Sequence, residues 1–350
     1  MAIQRISQIR KEMMRRTAIA AVSCAVLLTG CSGTDSSSTQ KQEYRPLPAP
    51  TVSVSREHVP ASVTTDAELP TVSGSFGHKA TITIPHAKPS GKFVVTALAE
   101  GQGHKAQNGD VVIVDYTAKT WKSAKALPGT YGKGDAPKVF PVGKGAVIPA
   151  LDRAVHGQRA GSRVLVVAPP AAAYGTTGDA RLGVSATETV VFVVDVVKVL
   201  AVDAIVSGDQ RSVSKELPAV KVGRSPAAIA VPDAAAPRRL ESSTLVSGSG
   251  PKVKAGQTVV LQYSGAVWED NRGKDRATLF DSSWAQHQPA TVIIGRGNVI
   301  QGWDTALVDA KVGSRLLLVV PPSLGYGAQA RKGIPARSTL VYVVDILWAE

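Results

Sequence analysis

Cys24, Cys31 and six histidines are the side chains of this 350-residue chain best suited to metal or nucleophilic chemistry, and their positions leave little room for either. Both cysteines fall within the first 31 residues, so the rest of the chain has no disulfide framework and no thiolate metal site. His58, His78, His86, His104, His156 and His287 are scattered, and no two stand at ligand spacing on a recognisable helix. No metal and no cofactor is expected. The formal net charge of +13 favours anionic surfaces, but no zinc-finger, helix-turn-helix or RNA-binding motif accompanies it. Nucleic acid is therefore not an expected partner, and the charge reads as a basic solvated surface.

The first cysteine-bearing segment has a clear use. A basic stretch ending in Met14-Arg15-Arg16 leads into an apolar run over 18–28, which closes on Leu28-Thr29-Gly30-Cys31. That pattern predicts a secretory signal peptide over 1–30, too short for a mature helix across ~30 Å of hydrocarbon. The ending resembles the bacterial lipobox, which implies that Cys31 is acylated and becomes the mature N-terminus. The protein is then extracytoplasmic and held to the bacterial membrane through Cys31. Residues 31–67, rich in Ser, Thr and Pro, read as a flexible tether.

The remainder is a repeat. Glu68-Leu69-Pro70 recurs as Glu216-Leu217-Pro218, Tyr116-Thr117 as Tyr263-Ser264, Trp121 as Trp268, and Val147-Ile148 as Val299-Ile300. Gly161-Ser162-Arg163 recurs as Gly313-Ser314-Arg315, each followed by an apolar run, two prolines, and then Tyr174-Gly175 or Tyr326-Gly327. Two copies of one domain follow, at 68–200 and 216–350, with a linker over 201–215. Their apolar runs are short, rich in Val and Leu and bounded by Gly and Pro, which predicts strands. Trp303 and Leu307 stand four apart, on one face of a short helix. Several strands and one brief helix per copy predict an α+β fold, an antiparallel sheet wrapped over a short helix.

The second copy resembles the FKBP-type peptidyl-prolyl cis-trans isomerases. The resemblance rests on an ordered series: Gln262-Tyr263-Ser264-Gly265, Phe280-Asp281-Ser282-Ser283, Gly297-Asn298-Val299-Ile300-Gln301-Gly302-Trp303, Pro321-Pro322, Gly325-Tyr326-Gly327, Gly333-Ile334-Pro335 and Leu340-Val341-Tyr342. It implies a monomeric isomerase acting on proline-containing polypeptides, here exported proteins whose folding it assists, and a pocket able to take immunosuppressant macrolides. Rotation about a peptide bond meets a barrier of ~18–20 kcal/mol and breaks no bond, so a dry apolar cup can serve without a nucleophile.

By the same resemblance Trp303 is the floor under the proline ring, and Tyr263, Phe280, Val299, Ile300 and Tyr342 are the walls. Tyr326 offers its hydroxyl and Ile300 its amide to the substrate, Asp281 sits beside the twisting carbonyl, and Ile334 closes the rim. Gln286 stands where the family often has arginine, and Ala290 where it has an aromatic wall. The first copy is a degenerate pocket: it keeps Tyr116, Val147, Ile148, Tyr174 and Phe192, carries Leu151 at the floor, and has a glycine-rich stretch near 129–138 in place of Phe-Asp-Ser-Ser. It reads as a binding or spacer module with weak isomerase activity at best. The rival reading for the whole chain is a non-catalytic polypeptide-binding or chaperone lipoprotein on the same scaffold.

Overall fold

The computed structural model describes residues 59–223 and 225–350; the expected signal peptide and the tether as far as residue 58 lie outside them. Valine and other β-branched residues dominate the apolar runs, and these runs form strands. In the first copy β1 (Thr71–Ser73) and β2 (Thr81–Thr83) make a hairpin. β3 (Val94–Ala99), β4 (Val111–Thr120), β5 (Ala126–Leu127), β6 (Lys138–Pro141), β7 (Arg163–Ala168) and β8 (Val190–Leu200) form a six-stranded antiparallel sheet. Its order is β3-β7-β8-β4-β5, with β6 also on β4, and helix α1 (Pro149–Val155) packs against it.

The second copy repeats the plan. β9 (Ala219–Gly223) and β10 (Ser225–Ala230) make the hairpin. The sheet is built from β11 (Glu241–Val246), β12 (Thr258–Val267), β13 (Leu279–Ser282), β14 (Ala290–Ile293), β15 (Arg315–Val320) and β16 (Leu340–Ala349). Its order is β11-β15-β16-β12-β13, with β14 also on β12. A single turn of helix, α2 (Trp268–Asn271), follows β12, and α3 (Gln301–Leu307) is the helix under the sheet. The fold is thus α+β, two tandem domains, as the sequence predicts.

Each sheet is buried on both faces, which the sequence reading did not foresee. One face meets the helix, with Leu261, Leu316 and Leu318 against Trp303 and Leu307 in the second copy. The other is covered by the hairpin, with Ile229 and Val220 packed among Trp268, Leu317, Val319 and Val341. Trp121 and Trp268 belong to this outer layer, and each indole N–H donates to a carbonyl beyond its hairpin, Ala87 at 2.9 Å and Ala234 at 3.1 Å.

Two devices fix the helix. Asp304 on α3 accepts from the Gly295 and Gly297 amides at 2.6 and 2.7 Å, tying the preceding loop to the helix. Gly302 lets the helix approach the sheet, since a Cβ there would lie 2.5 Å from Val320 Cγ1. In the first copy the same two positions are Ala150 and Ala168, both fully buried. A methyl added on the helix is matched by a smaller side chain on the strand.

The copies also share a core. Val111, Ile113 and Leu200 of the first meet Val246, Val260 and Leu347 of the second, with Val206 of the linker among them.

The Gly302 contact yields a stability test. Alanine improves helix propensity by ~1 kcal/mol over glycine, but overpacking a filled core costs about 1–3 kcal/mol. Gly302→Ala is therefore expected to lower the urea midpoint. Adding Val320→Ala, which reproduces the Ala150–Ala168 pairing, should recover part of the loss relative to the sum of the two single variants.

Candidate functional site

The helix and the sheet edge of the second copy enclose a cavity of about 440 Å³. Eight of the nine residues expected there line it: Tyr263, Phe280, Asp281, Val299, Ile300, Trp303, Tyr326 and Tyr342. They arrive from separate elements: Tyr263 from β12, Phe280 and Asp281 from β13, Val299 and Ile300 from the loop before α3, Trp303 from α3, and Tyr342 from β16. Trp303 is 6% exposed and forms the base of an aromatic cluster. Tyr342 and Tyr263 stand edge-on to it, with centroids 5.1 and 5.4 Å away and interplanar angles of 78°. Phe280 meets Tyr342 at 5.7 Å and 87°. Such T-shaped contacts place positive ring edges on negative faces and hold the rings in one arrangement.

The polar groups are few and directed. Tyr263 donates its hydroxyl to Asp281 Oδ2, while Asp281 Oδ1 accepts from the Ser282 amide at 2.8 Å. Gln286, standing where the family often has arginine, reaches the Tyr263 hydroxyl at 3.3 Å and Asp281 at 3.4 Å. Burial, then the hydrogen bond and charge of Asp281, push the Tyr263 phenol well above its ordinary value. Burial does the same to Tyr342, which shares a hydrogen bond with Tyr326. Ile300 caps α3 at the cavity wall in extended backbone, φ −59° and ψ 150° being the matching values at Ile148 and φ −58° and ψ 146° its own.

Ile334, the ninth, is 5% exposed and belongs to the same buried cluster as Trp303, Ile300 and Tyr342. A tight turn holds it, in which Arg331 and Ile334 exchange N–H to C=O bonds of 2.8 and 2.9 Å. Arg331 stands over the Tyr326 ring, its Cζ 5.8 Å from the centroid. Sequence reasoning passed over Gln288, Thr291, Val292, Ile293 and Asn298, which line the cavity. The alternation of Ala290 and Val292 on β14, both packed toward the core, is the signal that could have placed that strand.

In the first copy Tyr116, Val147, Ile148, Leu151, Tyr174 and Phe192 do come together, in the core between sheet and helix. Tyr116 and Phe192 are 6.2 Å apart, and Leu151 is 5% exposed at the tryptophan position. The segment in place of Phe280–Ser283 is now defined. Thr130 Oγ1 accepts from the Tyr116 amide at 2.8 Å, as Ser283 Oγ accepts from the Tyr263 amide at 3.0 Å. The segment ending at Thr130 therefore stands where the segment ending at Ser283 stands, upstream of most of the glycine-rich stretch, and in strand register Leu127 lies opposite Ala118 as Asp281 lies opposite Gly265. The first copy has neither the aromatic floor nor the pocket carboxylate. Among the described residues no cluster of three or more His, Cys, Asp or Glu side chains could hold a metal.

Comparison with known proteins agrees on both copies. A family model described as FKBP-type peptidyl-prolyl cis-trans isomerase matches residues 102–197 and again 250–347. FK506-binding protein 1 of Aspergillus oryzae is 34% identical over 111 residues, 31% of this chain and 96% of that protein. The FK506-binding protein of Neisseria meningitidis is 36% identical over 104 residues, 29% of this chain and 89% of that protein. FK506-binding protein 4 of Chaetomium thermophilum is 41% identical over 100 residues, and the chain spans only 19% of its length.

The raised phenols set an alkaline limit. Unfolding returns Tyr263 and Tyr342, and Tyr174 of the first copy, which burial pushes up to about 12, to an ordinary value near ~10. Below that pH both states keep these protons and the contribution is constant. Above it the unfolded chain ionises first, so stability should fall as pH rises. Urea midpoints at pH 8, 9.5 and 10.5 should show a decline that is steepest over the last step; a flat series would show that these phenols are not held neutral by the fold.

Proposed function

The chain belongs to the FKBP-type peptidyl-prolyl cis-trans isomerases, and from that premise we propose that its second copy is the working isomerase, acting on Xaa–Pro bonds of exported proteins. The observation that carries this is the aromatic cavity over Trp303, with Asp281 held at its side by Tyr263. A planar amide is more dipolar than a twisted one, so moving it from water into an apolar cup weakens the resonance that opposes rotation. Trp303, Tyr342 and Phe280 supply the dry surface for the proline ring. Asp281 keeps its charge away from the floor by accepting from Tyr263 and Ser282. Each ~1.4 kcal/mol of preferential binding to the twisted amide is a tenfold gain in rate.

The names of the relatives extend the proposal to macrolides such as FK506 as ligands of the same cavity. Gln286 and Ala290, both lining it, distinguish this pocket from the family pattern and should tune that affinity. The Leu28-Thr29-Gly30-Cys31 ending supports an extracytoplasmic protein anchored by a diacylglyceryl group on Cys31. Among the described residues no helix is long and apolar enough to cross a membrane. The first copy, with Leu151 in place of tryptophan and no aspartate among residues 127–130, fits a non-catalytic role.

Two tests follow. In the full chain, Trp303→Leu, which imitates Leu151, is expected to reduce kcat/KM on an Ala-Leu-Pro-Phe-type peptide by roughly tenfold or more, about 1.4 kcal/mol. Tyr326→Phe and Asp281→Val should cost less, because desolvation supplies most of the effect. A folded Trp303→Leu protein with unchanged activity would hand the chain to the polypeptide-binding reading. For the anchor, Cys31→Ala or globomycin treatment should leave the precursor unprocessed or release soluble protein, and intact mass should show a diacylated Cys31 in the wild type. An unmodified Cys31 would remove the membrane from the proposal.

A further inference from the structure

We infer that the first copy is a positioning module for the pocket of the second, acting through a buried hydrogen-bond path that runs from the linker at Val202 through Gln262 to Ser283. The inference rests on the isomerase reading of the second copy.

The start of the linker is gripped from both sides. The Val202 amide donates to Asp110 Oδ1 of the first copy at 2.8 Å, and its carbonyl accepts from Gln262 Nε2 of the second at 2.8 Å. Four residues on, the Val206 amide donates to Asp345 at 2.7 Å and its carbonyl accepts from Arg315 at 2.7 Å. Val206 is itself buried in the apolar core shared by the copies. Backbone clamped at both polar groups and packed at its side chain cannot shift without disturbing the clamps.

Gln262 carries the connection onward. Its Oε1 accepts from Ser283 Oγ, and that same oxygen accepts from the amide of Tyr263, a cavity wall. Gln262 is 3% exposed and Ser283 is fully buried, so water has little access to replace a broken link. Ser283 opens the 3-10 turn Ser283–Gln286, which ends at His287 with a left-handed φ of 51°. The residues flanking His287, Gln286 and Gln288, both line the cavity. The first copy also touches this turn directly. A Cβ on Gly109 would lie 2.8 Å from the His287 carbonyl oxygen, so the two backbones approach closely at that point.

The residue type matters. A glutamine has a donor and an acceptor at one end, and both are used here, the donor toward the linker and the acceptor toward the turn. The first copy has Asp115 at the corresponding place, bonded to Thr130, the counterpart of Ser283. A carboxylate can accept from the hydroxyl but has no proton for a linker carbonyl. The two-ended side chain occurs in the copy that has a linker before it and a complete pocket behind it.

The test uses the full chain with two readouts: kcat/KM on the tetrapeptide, and the indole N–H signal of Trp284, which sits within the turn. Asp110→Ala releases Val202 from the first copy and touches no cavity residue. Gln262→Glu keeps the acceptor for Ser283 and removes the donor to Val202. Each is expected to lower kcat/KM about threefold to tenfold, within the usual range for coupling through packed networks, and to shift the Trp284 signal. The double variant should be no worse than the worse single one, because both cut one path. Multiplying effects, or an unmoved Trp284 signal with Asp110→Ala, would overturn the inference. Should Asp110→Ala unfold the first copy, Gln262→Glu, which cuts the same path from the side of the second copy, must by itself lower kcat/KM and shift the Trp284 signal. If the wild type proves inactive, the isomerase reading fails alone, and the Trp284 signal still decides the coupling.

Discussion

Each sheet buries one arginine–aspartate pair across two neighbouring central strands, and the placement of the backbone segment lying against that pair depends on it. Arg163 and Asp195 face each other on β7 and β8 with bonds of 2.6 and 2.7 Å; Arg315 and Asp345 do so on β15 and β16 at 2.6 and 2.8 Å. Taking both charges out of water is expensive, and their attraction offsets it only if the remaining donors and acceptors are satisfied. Those leftover groups select a segment of backbone. In the first copy they hold the β1–β2 hairpin, through the Gly74 and His78 carbonyls and the Gly77 amide. In the second they hold Val206. One device serves as a hairpin latch in one copy and as a domain clamp in the other.

The cavity is the place where the second copy accepts a local cost. Trp303 Nε1 is buried without a hydrogen-bond partner, and it is the single such side-chain atom among the described residues. An orphaned buried donor costs about 1–3 kcal/mol. The first copy avoids that cost with Leu151, at the same step of its helix. A core chosen for stability alone would favour the leucine, so the tryptophan points to a demand from the site.

Much of this was legible in the residues. The repeat was visible because it is punctuated by rare types, Trp121 and Trp268, or Tyr174 and Tyr326, at fixed offsets. The cavity walls were legible because an ordered motif names them. What stayed hidden has a common physical cause, burial on both faces. Val111, Val112, Ile113 and Val114 are all buried, so the run carries no alternation to show that Val112 and Val114 face the helix while Val111 and Ile113 face the other copy. The hairpin layer was missed for the same reason. The segment ending at Thr130 was missed because its match to the one ending at Ser283 lies in a hydroxyl that accepts from the Tyr116 amide, not in a run of like side chains. The turn that holds Ile334, closed by backbone bonds between Arg331 and Ile334, leaves little trace in composition.

The comparison of the copies separates what the scaffold requires from what the site requires. Helix and sheet must meet at close packing in both, and the volume there is conserved by exchange: Gly302 against Val320 in one, Ala150 against Ala168 in the other. The loop before the helix must be tied down in both, and Asp152 and Asp304 each accept from a glycine amide, Gly143 at 2.7 Å and Gly295 at 2.6 Å. These features hold whether or not a pocket exists. The residue after the small helical position is free of them, and there the copies diverge, Leu151 against Trp303. The segment at the sheet edge diverges with it, with no counterpart of the Phe280-Asp281 pair before Thr130. Because the scaffold is satisfied without them, the aromatic floor and its carboxylate are explained by what enters the cavity and not by what holds the domain together.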